Sequence, residues 1–303
     1  MAEDPATATP ANETARLQVA ITVDDLPVHG PAFEGIDREA IAERLLAAFA
    51  AHRVAPVHGF VNGKRVDDDP RTAVILRRWL AEGHALGNHT WSHPSLNRTA
   101  LPEYLADIER GEAILIRLGA LGDWKPFRYP FLFEGDTLAK RDGVRAFLRE
   151  RGYTIAPVSI DANDWAYNPP FGRCVELGDQ AMANRLVAEL VDGHVAELRS
   201  MRRLTRALVG REIKHILLLH IGAADAAAID ALLTAYEREG VEWIDLRAAL
   251  EDSFHALDAR PYSFGAAAPY RIARDRGVPA PPSRFTRATE QRLDATCRSR
   301  EAR

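Results

Sequence analysis

The sequence predicts an α/β fold in which parallel strands alternate with helices, either closed as a barrel or open and doubly wound. Two observations predict it: short β-branched runs alternate with longer amphipathic stretches, and polar side chains recur where those runs end. The composition, 47% hydrophobic and 27% charged over 303 residues, is typical of a globular protein. A chain of this length buries roughly three quarters of its unfolded surface, so its core does not require disulfides.

The alternation extends from about residue 17 to residue 250 and gives roughly seven strands. The first strand, LQVAITVDD, is followed by the helix DREAIAERLLAAFAAH, for which Asp37 is a candidate N-cap. Further strands are predicted at APVHGFVNG, HALGNHT, WKPFRYPF, YTIAPVSID, EIKHILLLHIG and VEWIDL. The helices between them are DPRTAVILRRWLAEG, LPEYLADIERGEAILIRLG, DTLAKRDGVRAFLRERG, a long stretch over about 177–209, and AADAAAIDALLTAYEREG.

Both ends of the chain depart from this pattern. Residues 1–16 are small, polar and proline-rich, which predicts a disordered leader. Residues 259–303 contain ten arginines against four acidic residues. We interpret residues 251–303, the C-terminal extension, as a strap packed on the barrel or a partly disordered tail, with a substrate- or partner-binding segment as the alternative.

Charge and cysteine content limit the possible partners. A net charge of −4 gives no reason to expect nucleic acid or an anionic membrane as partner, and no apolar run reaches the 18 residues of a membrane span. The first residues lack the basic patch and apolar stretch of a secretion signal. Cys174 and Cys297 could form one disulfide or remain two thiols, and the sequence leaves the oligomeric state open.

Polar residues that could carry chemistry lie where successive predicted strands end. Because the carboxyl ends of parallel strands gather at one rim, we expect these side chains to converge where α/β folds carry their sites. His29 and His58 could line the same rim. The converging residues are Asp24, Asp25, His89, His93, Arg128, Asp161, Asp164, Trp165 and His220.

One carboxylate and two imidazoles form a common open catalytic site for a divalent metal, because they leave positions for water and substrate. Asp25, His89 and His93 could supply these ligands, with zinc as the first candidate and Co²⁺ or Ni²⁺ as alternatives. Pro94 follows His93 directly, which favours a loop rather than a helix for the two histidines.

The remaining polar groups fit a hydrolysis. Asp24 could take a proton from a metal-bound water that attacks a carbonyl carbon, and His220 could protonate the leaving group. Arg128 can hold Asp24 in a fixed geometry, and Asp164 could orient His220 or pair with Arg128. Together they predict a metal-assisted hydrolase of an amide or ester. Each residue alone also fits a structural role, such as a turn for the aspartates or core packing for Trp165.

Five segments of the sequence, in order, resemble the motifs of the polysaccharide deacetylases, the NodB-homology domain of carbohydrate esterase family four. The similarity covers about residues 17–250, and it is specific because five motifs occur in the right order at strand ends. The family's motifs TFDDG, H-S/T-x-x-H-P, R-x-P-Y/F, D-x-x-D-W and L-x-H are similar to TVDDL (22–26), HTWSHP (89–94), RYPF (128–131), DANDW (161–165) and LLH (218–220).

The resemblance implies a distorted (β/α)7-8 barrel of parallel strands with a shallow groove. It also implies removal of acetyl groups from N-acetylated glycans, such as chitin oligomers or peptidoglycan, or from acetyl esters of polysaccharides. Family members are commonly exported, so we expect a periplasmic or extracellular protein whose signal peptide precedes the first residue, with a cytoplasmic location as the alternative.

The same resemblance implies a role for each motif residue. Asp24 would be the base, positioned by Arg128, and His220 the acid, tuned by Asp164. The backbone N–H of Phe131 would stabilise the oxyanion. The implied metal ligands are Asp25, His89 and His93, and the implied substrate-contacting residues are Phe131, Tyr129, Trp165 and Leu218.

The sequence departs from the family pattern beside the first motif. Leu26-Pro27 stands where the family has glycine after the aspartate pair, and the second strand places His58 near the barrel interior. We expect these changes to alter the shape of the substrate and to leave the hydrolytic residues intact. Two alternatives stay open: an amidase or imidase of the same barrel type acting on a small non-sugar substrate, and a non-catalytic glycan-binding protein.

Overall fold

The computed structural model describes residues 16–298, in which seven parallel strands form one sheet. The predicted leader, residues 1–16, therefore lies outside the described residues apart from Arg16. The strands are β1 (Leu17–Leu26), β2 (His58–Val61), β3 (Ala85–Asn88), β4 (Lys125–Phe127), β5 (Tyr153–Ile155), β6 (His215–His220) and β7 (Val241–Ile244).

Helices connect the strands and cover the sheet. The first is capped by Asp37, whose side chain accepts a hydrogen bond of 2.8 Å from the backbone N–H of Glu39, as the sequence predicts. In the described part of the chain the helices are α1 (Arg38–Ala51), α2 (Gly63–Asp68), α3 (Ala73–Ala81), α4 (Leu101–Arg117), α5 (Leu138–Glu150), α6 (Asn168–Glu176), α7 (Gln180–Val209), α8 (Ala223–Arg238), α9 (Leu246–Leu250), α10 (Ala268–Arg276) and α11 (Arg287–Ala295).

The sheet has the strand order β5-β4-β3-β2-β1-β6, with every neighbouring pair parallel. Val19 and Ala20 of β1 pair with both β6 and β7, so β7 lies on the edge of β1 that β2 occupies further along. A bridge between Ile160 and Leu217 joins the segment after β5 to β6. The sheet therefore curls into an incomplete barrel, which confirms the predicted distorted barrel and fixes the strand number at seven.

The largest apolar core lies between β1 and the helices α1, α3 and α8. Val19, Ile21 and Val23 of β1 are fully or almost fully buried there, together with Phe49 and Trp79 from the two helices that follow. Because β1 is buried on both faces, its sequence is apolar almost throughout, as expected for the central strand of a parallel sheet. Its two charged residues, Asp24 and Asp25, lie at the end that carries the site.

Two predicted elements differ in extent from the sequence pattern. The long helical stretch predicted over about 177–209 is the single helix α7, which begins only at Gln180 because Gly178 adopts a left-handed conformation (φ 71°) and the side chain of Asp179 caps α7 at the N–H of Met182. Residues 64–68, which the sequence pattern assigns to no element, form the short helix α2 together with Gly63, which is predicted as the last residue of a strand. Because α2 has only six residues, it is too short to show a recognisable amphipathic pattern in the sequence.

The C-terminal extension packs on the barrel over its described residues, 251–298. Ile272 of α10 is buried beside Phe254 and Ile213, and Leu293 of α11 lies in a cluster with residues of α6 and α7. Of the two possibilities for the cysteines, the structure has the disulfide, which joins Cys174 on α6 to Cys297 across 123 residues of sequence. None of the helices in residues 16–298 combines the length and apolar character of a membrane span.

The buried carboxylate of Glu212 connects the end of α7 to β6, and it provides a test of the fold. Its side chain is 3% exposed and accepts hydrogen bonds from Arg202 (3.0 Å) and Arg206 (2.5 Å). Burial alone would raise the pKa of Glu212, but His215, whose Nε2 lies 3.6 Å from Oε1, and the hydrogen-bonded Arg202 outweigh it and lower the pKa to about 2.

We expect Glu212→Gln to reduce the free energy of unfolding at pH 7 by about 1–3 kcal/mol, because two arginines lose a charged partner. A carboxyl whose pKa is depressed on folding stabilises the protein above its unfolded pKa, near 4.5, and the effect is lost as the pH falls toward about 2. Urea unfolding between pH 7 and pH 3 should therefore show the difference from wild type narrowing. Glu189→Gln, which breaks an exposed pair with Arg292, is the control and should change stability by less than about 0.5 kcal/mol. A Glu212→Gln difference that is the same at pH 7 and pH 3 would contradict this account.

Candidate active site

A groove with a volume of about 790 Å³ lies over the carboxyl ends of the strands. The structure brings together in it most of the residues that the sequence predicts for a site. The predicted residues that line it are Asp24, Asp25, His89, His93, Phe131, Asp161, Trp165, Leu218 and His220.

The three predicted metal ligands have their side-chain atoms within 4.8 Å of one another. Oδ1 of Asp25 lies 3.6 Å from Nε2 of His89 and 3.5 Å from Nε2 of His93. A tetrahedral zinc ion with bonds of about 2.0–2.2 Å would hold neighbouring ligand atoms about 3.3–3.5 Å apart. The two distances from Asp25 are close to this spacing, so the three residues fit a divalent metal of that size.

Neighbouring groups fix the orientation of these ligands. The backbone carbonyl of Arg128 accepts a hydrogen bond of 2.8 Å from Nδ1 of His89, which leaves Nε2 free to face the groove. Asn62 donates to Oδ1 of Asp25 at 2.6 Å, and Nδ1 of His29 lies 2.6 Å from Oδ2. Hydrogen bonds of this kind orient metal ligands, and their loss usually weakens metal binding.

The charge states of the three residues also suit a cation. Burial lowers the pKa of His89 and of His93 to about 4, so both rings are neutral near pH 7 and keep a lone pair. Burial would raise the pKa of Asp25, but the hydrogen bond with His29 and the nearby histidines outweigh it and hold the pKa well below its usual range. A carboxylate beside two neutral imidazoles is a ligand set of the zinc type.

Two successive aspartates reach the same groove because β1 is irregular where they lie. Side chains alternate along a regular strand, so Asp24 and Asp25 would otherwise point to opposite faces. Asp25 instead has a left-handed backbone (φ 65°), and the pairing of β1 with β2 shifts register between Val23 and Leu26. As a result His89 Nε2 lies 3.7 Å from Oδ2 of Asp24 and 3.6 Å from Oδ1 of Asp25.

Left-handed backbone conformations of non-glycine residues concentrate at this site. Such conformations are costly and cluster where a protein must aim side chains at a ligand. Eight non-glycine residues in the described chain have a positive φ. Six of them lie at the groove or in the loop that carries the histidines: Asp25, Thr90, His93, Phe131, Leu132 and Asn163.

Arg128 holds Asp24 from inside the barrel. Its Nη1 lies 3.2 Å and 3.3 Å from the two carboxylate oxygens of Asp24, while Nη2 donates to Thr22 and Nε to the carbonyl of Ala156. The guanidinium is 1% exposed, so the pair is shielded from water. Burial raises the pKa of Asp24 even though Arg128 opposes the shift, which brings this carboxylate closer to the range useful for a base.

His220 is held by Asp164 at the other strand end. Oδ1 of Asp164 lies 2.8 Å from Nδ1 of His220, and Oδ2 accepts the backbone N–H of His220 at 2.7 Å. Burial would lower the pKa of His220, but Asp164 outweighs it and raises the pKa to about 10. At neutral pH the ring is therefore an imidazolium, which can donate a proton.

A second buried carboxyl, that of Asp225, lies next to Asp164. Asp225 on α8 accepts a hydrogen bond of 2.9 Å from Asn168, and burial beside Asp164 raises its pKa far above the usual range. Asp225 is then a neutral acid that can share its proton with Asp164, whose own pKa is lowered chiefly by His220 despite its burial. The pair carries one negative charge, which balances the imidazolium.

Three of the four predicted substrate-contacting residues line the groove, and one does not. Phe131 and Trp165 have exposed side chains, at 52% and 39%, and Leu218 lies beneath them. The exposure of Trp165 rules out the alternative that it packs in the core. Tyr129 is 2% exposed and packs against Phe127 in a buried cluster, so the structure does not bring it into the groove. Side chains alternate in direction after β4. Because Arg128 faces the barrel interior, Tyr129 points to the opposite side, toward α4 and α5.

Several groups at the site are not evident from the five motifs. Asn62 and Asp225 act through residues that are distant in sequence, and no local pattern distinguishes them. His29, which the sequence places near the rim, contacts Asp25 and lies with its ring 4.8 Å from that of His220. His58 is buried against Trp124 instead of lining the groove.

Comparisons with known proteins agree with the fold and the motifs. The sequence profile described as polysaccharide deacetylase matches residues 11–153, which include the first three motifs. The polysaccharide deacetylase Bc1974 of Bacillus cereus has a similar fold: its crystal structure aligns over 76% of this chain and 92% of its own, with a TM-score of 0.52 and 23% identity.

Two curated relatives are similar to half of the chain. A peptidoglycan-N-acetylglucosamine deacetylase of Bacillus cereus is 31% identical over 150 residues, which are 50% of this chain and 47% of that protein. A chitin deacetylase of Colletotrichum lindemuthianum is 26% identical over 161 residues, 50% of this chain and 60% of its own length. The similarity thus spans about half the length of these relatives.

The pairing of His220 with Asp164 leads to a prediction about its titration. We expect the pKa of His220, near 10 in the chelator-treated protein, to fall in Asp164→Asn, because the amide no longer stabilises the imidazolium. A histidine whose pKa is raised on folding stabilises the protein fully below its unfolded pKa, near 6.5, and loses that contribution as the pH rises toward 10.

Histidine ring chemical shifts followed by NMR from pH 5 to pH 11 would measure this change. The ring of His52, which pairs with Asp230 and Glu237 on the surface, is an internal control that should titrate identically in both proteins. An unchanged His220 pKa in Asp164→Asn would show that Asp164 does not set its charge.

Proposed function

We propose that this protein is a metal-dependent deacetylase that removes acetyl groups from N-acetylated glycans. The observation that carries the proposal is the arrangement of a three-residue metal site between a buried carboxylate and a charged histidine. The similarity to peptidoglycan and chitin deacetylases supports the same reaction class. Acetyl esters of polysaccharides are the nearest variant of the substrate, since the same groups can hydrolyse an ester.

Asp25, His89 and His93 would hold the cation, for which the donor set and spacing favour zinc. When bound there, a divalent cation supplies Lewis-acid chemistry, polarising the acetyl carbonyl and making water more acidic. The neutral histidines and the ionised Asp25 are already in the protonation states that binding requires.

Asp24 would act as the general base. Its carboxylate lies beside the predicted metal ligands, with Oδ2 3.7 Å from Nε2 of His89, and Arg128 prevents it from rotating away. It would accept a proton from the water that attacks the acetyl carbonyl carbon. The buried setting of the pair keeps other water away from this proton transfer.

His220 would act as the general acid. Asp24 and His220 are register partners on β1 and β6, so their side chains leave adjacent strands toward the same groove. The imidazolium would give its proton to the amide nitrogen as the carbon–nitrogen bond breaks, yielding acetate and a free amine. Asp164 would then stabilise the ring in the orientation needed to recover a proton.

Two groups would bind the acetyl group during the reaction. The backbone N–H of Phe131 would donate to the developing oxyanion, a role that does not depend on the side chain at this position. Trp165 and Leu218 would form the apolar surface for the acetyl methyl, since both line the groove beside His220. The arrangement favours a small acyl group.

The metal site leads to a direct prediction. We expect the purified protein to bind about one equivalent of zinc, and His89→Ala and His93→Ala to lower the affinity about 100-fold or more. Elemental analysis and competition with a coloured chelator would measure both. His52→Ala, at the C-terminal end of α1 and away from the groove, is the control and should keep wild-type affinity. Acetate release that persists after complete removal of metal would contradict the proposed function.

The assignment of Asp24 can be separated from metal binding. We expect Asp24→Asn to lower kcat for acetate release by about 10²–10⁴-fold while leaving the metal content unchanged, because an amide cannot accept the proton. A panel of acetylated glycans and acetylated xylan, with enzymatic detection of acetate, would provide the rates. Asp142→Asn on the exposed side of α5 is the matched control and should retain wild-type activity. An active Asp24→Asn enzyme would assign the base to another residue.

A further inference from the structure

The C-terminal extension contributes directly to the groove. Residues from two of its segments, near 264 and near 285, lie beside the side chains proposed to bind substrate. These segments follow the last strand of the barrel and lie outside the five motifs. The groove-lining residues of the extension are Ser263, Phe264, Gly265, Phe285 and Glu290.

The first segment is closely packed against the barrel. A Cβ atom on Gly265 would lie 1.8 Å from the carbonyl oxygen of Phe131, so only glycine allows the two backbones to approach this closely. The N–H of Ala268 donates to the carbonyl of Val158 at 2.8 Å, and Ala267 packs against Val158 and Leu218. This segment therefore extends from the loop after β4 to the segment after β5.

The second segment contacts Trp165 at the groove, and the residues that follow it are anchored to α6. The ring of Phe285 lies 5.7 Å from that of Trp165, centroid to centroid. Arg173 on α6 donates to the backbone carbonyls of Leu293 and Thr296, and the disulfide fastens Cys297 to the same helix. These anchors keep Phe285 in place without any contribution from a ligand.

A second cavity adjoins the groove under the same segments. It has a volume of about 340 Å³, and Tyr270 and the buried Glu197 form its inner wall, with their side chains hydrogen-bonded at 3.1 Å. Its walls share five residues with the groove: Asp161, Asn163, Phe264, Gly265 and Phe285. On this side the groove therefore borders a second cavity that lies under the extension.

We propose that the C-terminal extension closes one side of the groove, between the loops after β4 and β5, and restricts the substrate to short acetylated oligosaccharides and chain ends. This inference rests on the proposed function. A polymer that reacts at an internal sugar must leave the groove on both sides of that sugar. The extension occupies one of these two exits. The groove volume of about 790 Å³ lies within the usual range for small-ligand pockets.

The aromatic side chains at this closed side have a corresponding role. Phe264 is 36% exposed and Trp165 39%, so each presents part of its ring to the groove. Aromatic faces of this kind can pack against the apolar face of a sugar ring, where they contribute contact area with little loss of side-chain entropy. Phe264 and Phe285 would therefore hold the terminal sugar beside Trp165 and determine where the substrate ends.

The dependence of kcat/KM on chain length tests the inference. The full chain with its disulfide would be assayed on N-acetylated chito-oligosaccharides of two to six units and on a soluble polymeric chitin derivative. We expect kcat/KM to reach its limit at a short oligomer and to be at least tenfold lower per acetyl group on the polymer. A kcat/KM that rises through six units and is equal or higher on the polymer would overturn the inference.

Opening the closed side should change this preference. We expect Phe285→Ala, and independently Cys297→Ser, to raise the ratio of polymer to short-oligomer kcat/KM at least threefold. Ile116→Ala, an exposed apolar residue on α4, is the control and should leave the ratio unchanged. Thermal unfolding of each variant would establish that it is folded, and unchanged ratios in both folded variants would overturn the inference.

Binding measurements separate this inference from the proposed function. Calorimetric titration of Asp24→Asn with the same oligomers does not require turnover. We expect the affinity of Asp24→Asn for the oligomers to stop increasing at the same short length. In the double variant with Phe285→Ala, the affinity should continue to increase for longer oligomers. Absence of acetate from every substrate would count against the proposed function, whereas affinity that increases with every added unit would overturn the closed groove alone.

Discussion

The site depends on one buried cation, the guanidinium of Arg128. Its side chain fixes the carboxylate of Asp24, and its backbone carbonyl fixes the ring of His89. Burying an isolated charge costs several kcal/mol, and here Asp24, Thr22 and the Ala156 carbonyl together use its donors while Phe60 lies 4.6 Å from its centre. A single residue therefore orients both the proposed base and one proposed metal ligand, and it also joins β1 to the segment after β5.

Burial shifts the pKa values of both Asp24 and His220, but only at Asp24 does burial decide the final direction. It raises the pKa of Asp24, whereas at His220 the effect of burial is reversed by Asp164, which keeps the ring protonated. The additional carboxyl of Asp225 allows this without two full negative charges in one buried space. A site that needs both a base and an acid near neutral pH can thus be formed from ordinary side chains, with the difference set by their neighbours.

Much of this arrangement could be predicted from the sequence because its determinants are local. The Asp-Asp pair, the two histidines before Pro94 and the histidine after an apolar run each follow a recognisable strand, and parallel strands bring their ends together. Asn62 and the Phe285–Trp165 contact could not be predicted, because each depends on which distant segments meet. The disulfide is a similar case: two cysteines 123 residues apart have no local signature. Tyr129 lies within a motif, yet its side chain points away from the groove because its neighbour Arg128 faces the barrel interior.

The packing of the C-terminal extension on the barrel determines how far the protein can be shortened. The residues proposed to bind metal, transfer protons and bind the acetyl group, together with the supporting Asp225, all precede residue 226, so a chain ending near residue 250 would retain every one of them. Such a chain would nevertheless expose the apolar surface of Val158, Leu218 and Ile213 that the extension now covers. Exposed apolar patches promote aggregation, so the proposed catalytic residues and the stable folding unit have different boundaries. The smallest fragment that holds every proposed catalytic residue is shorter than the smallest fragment whose apolar core is fully covered.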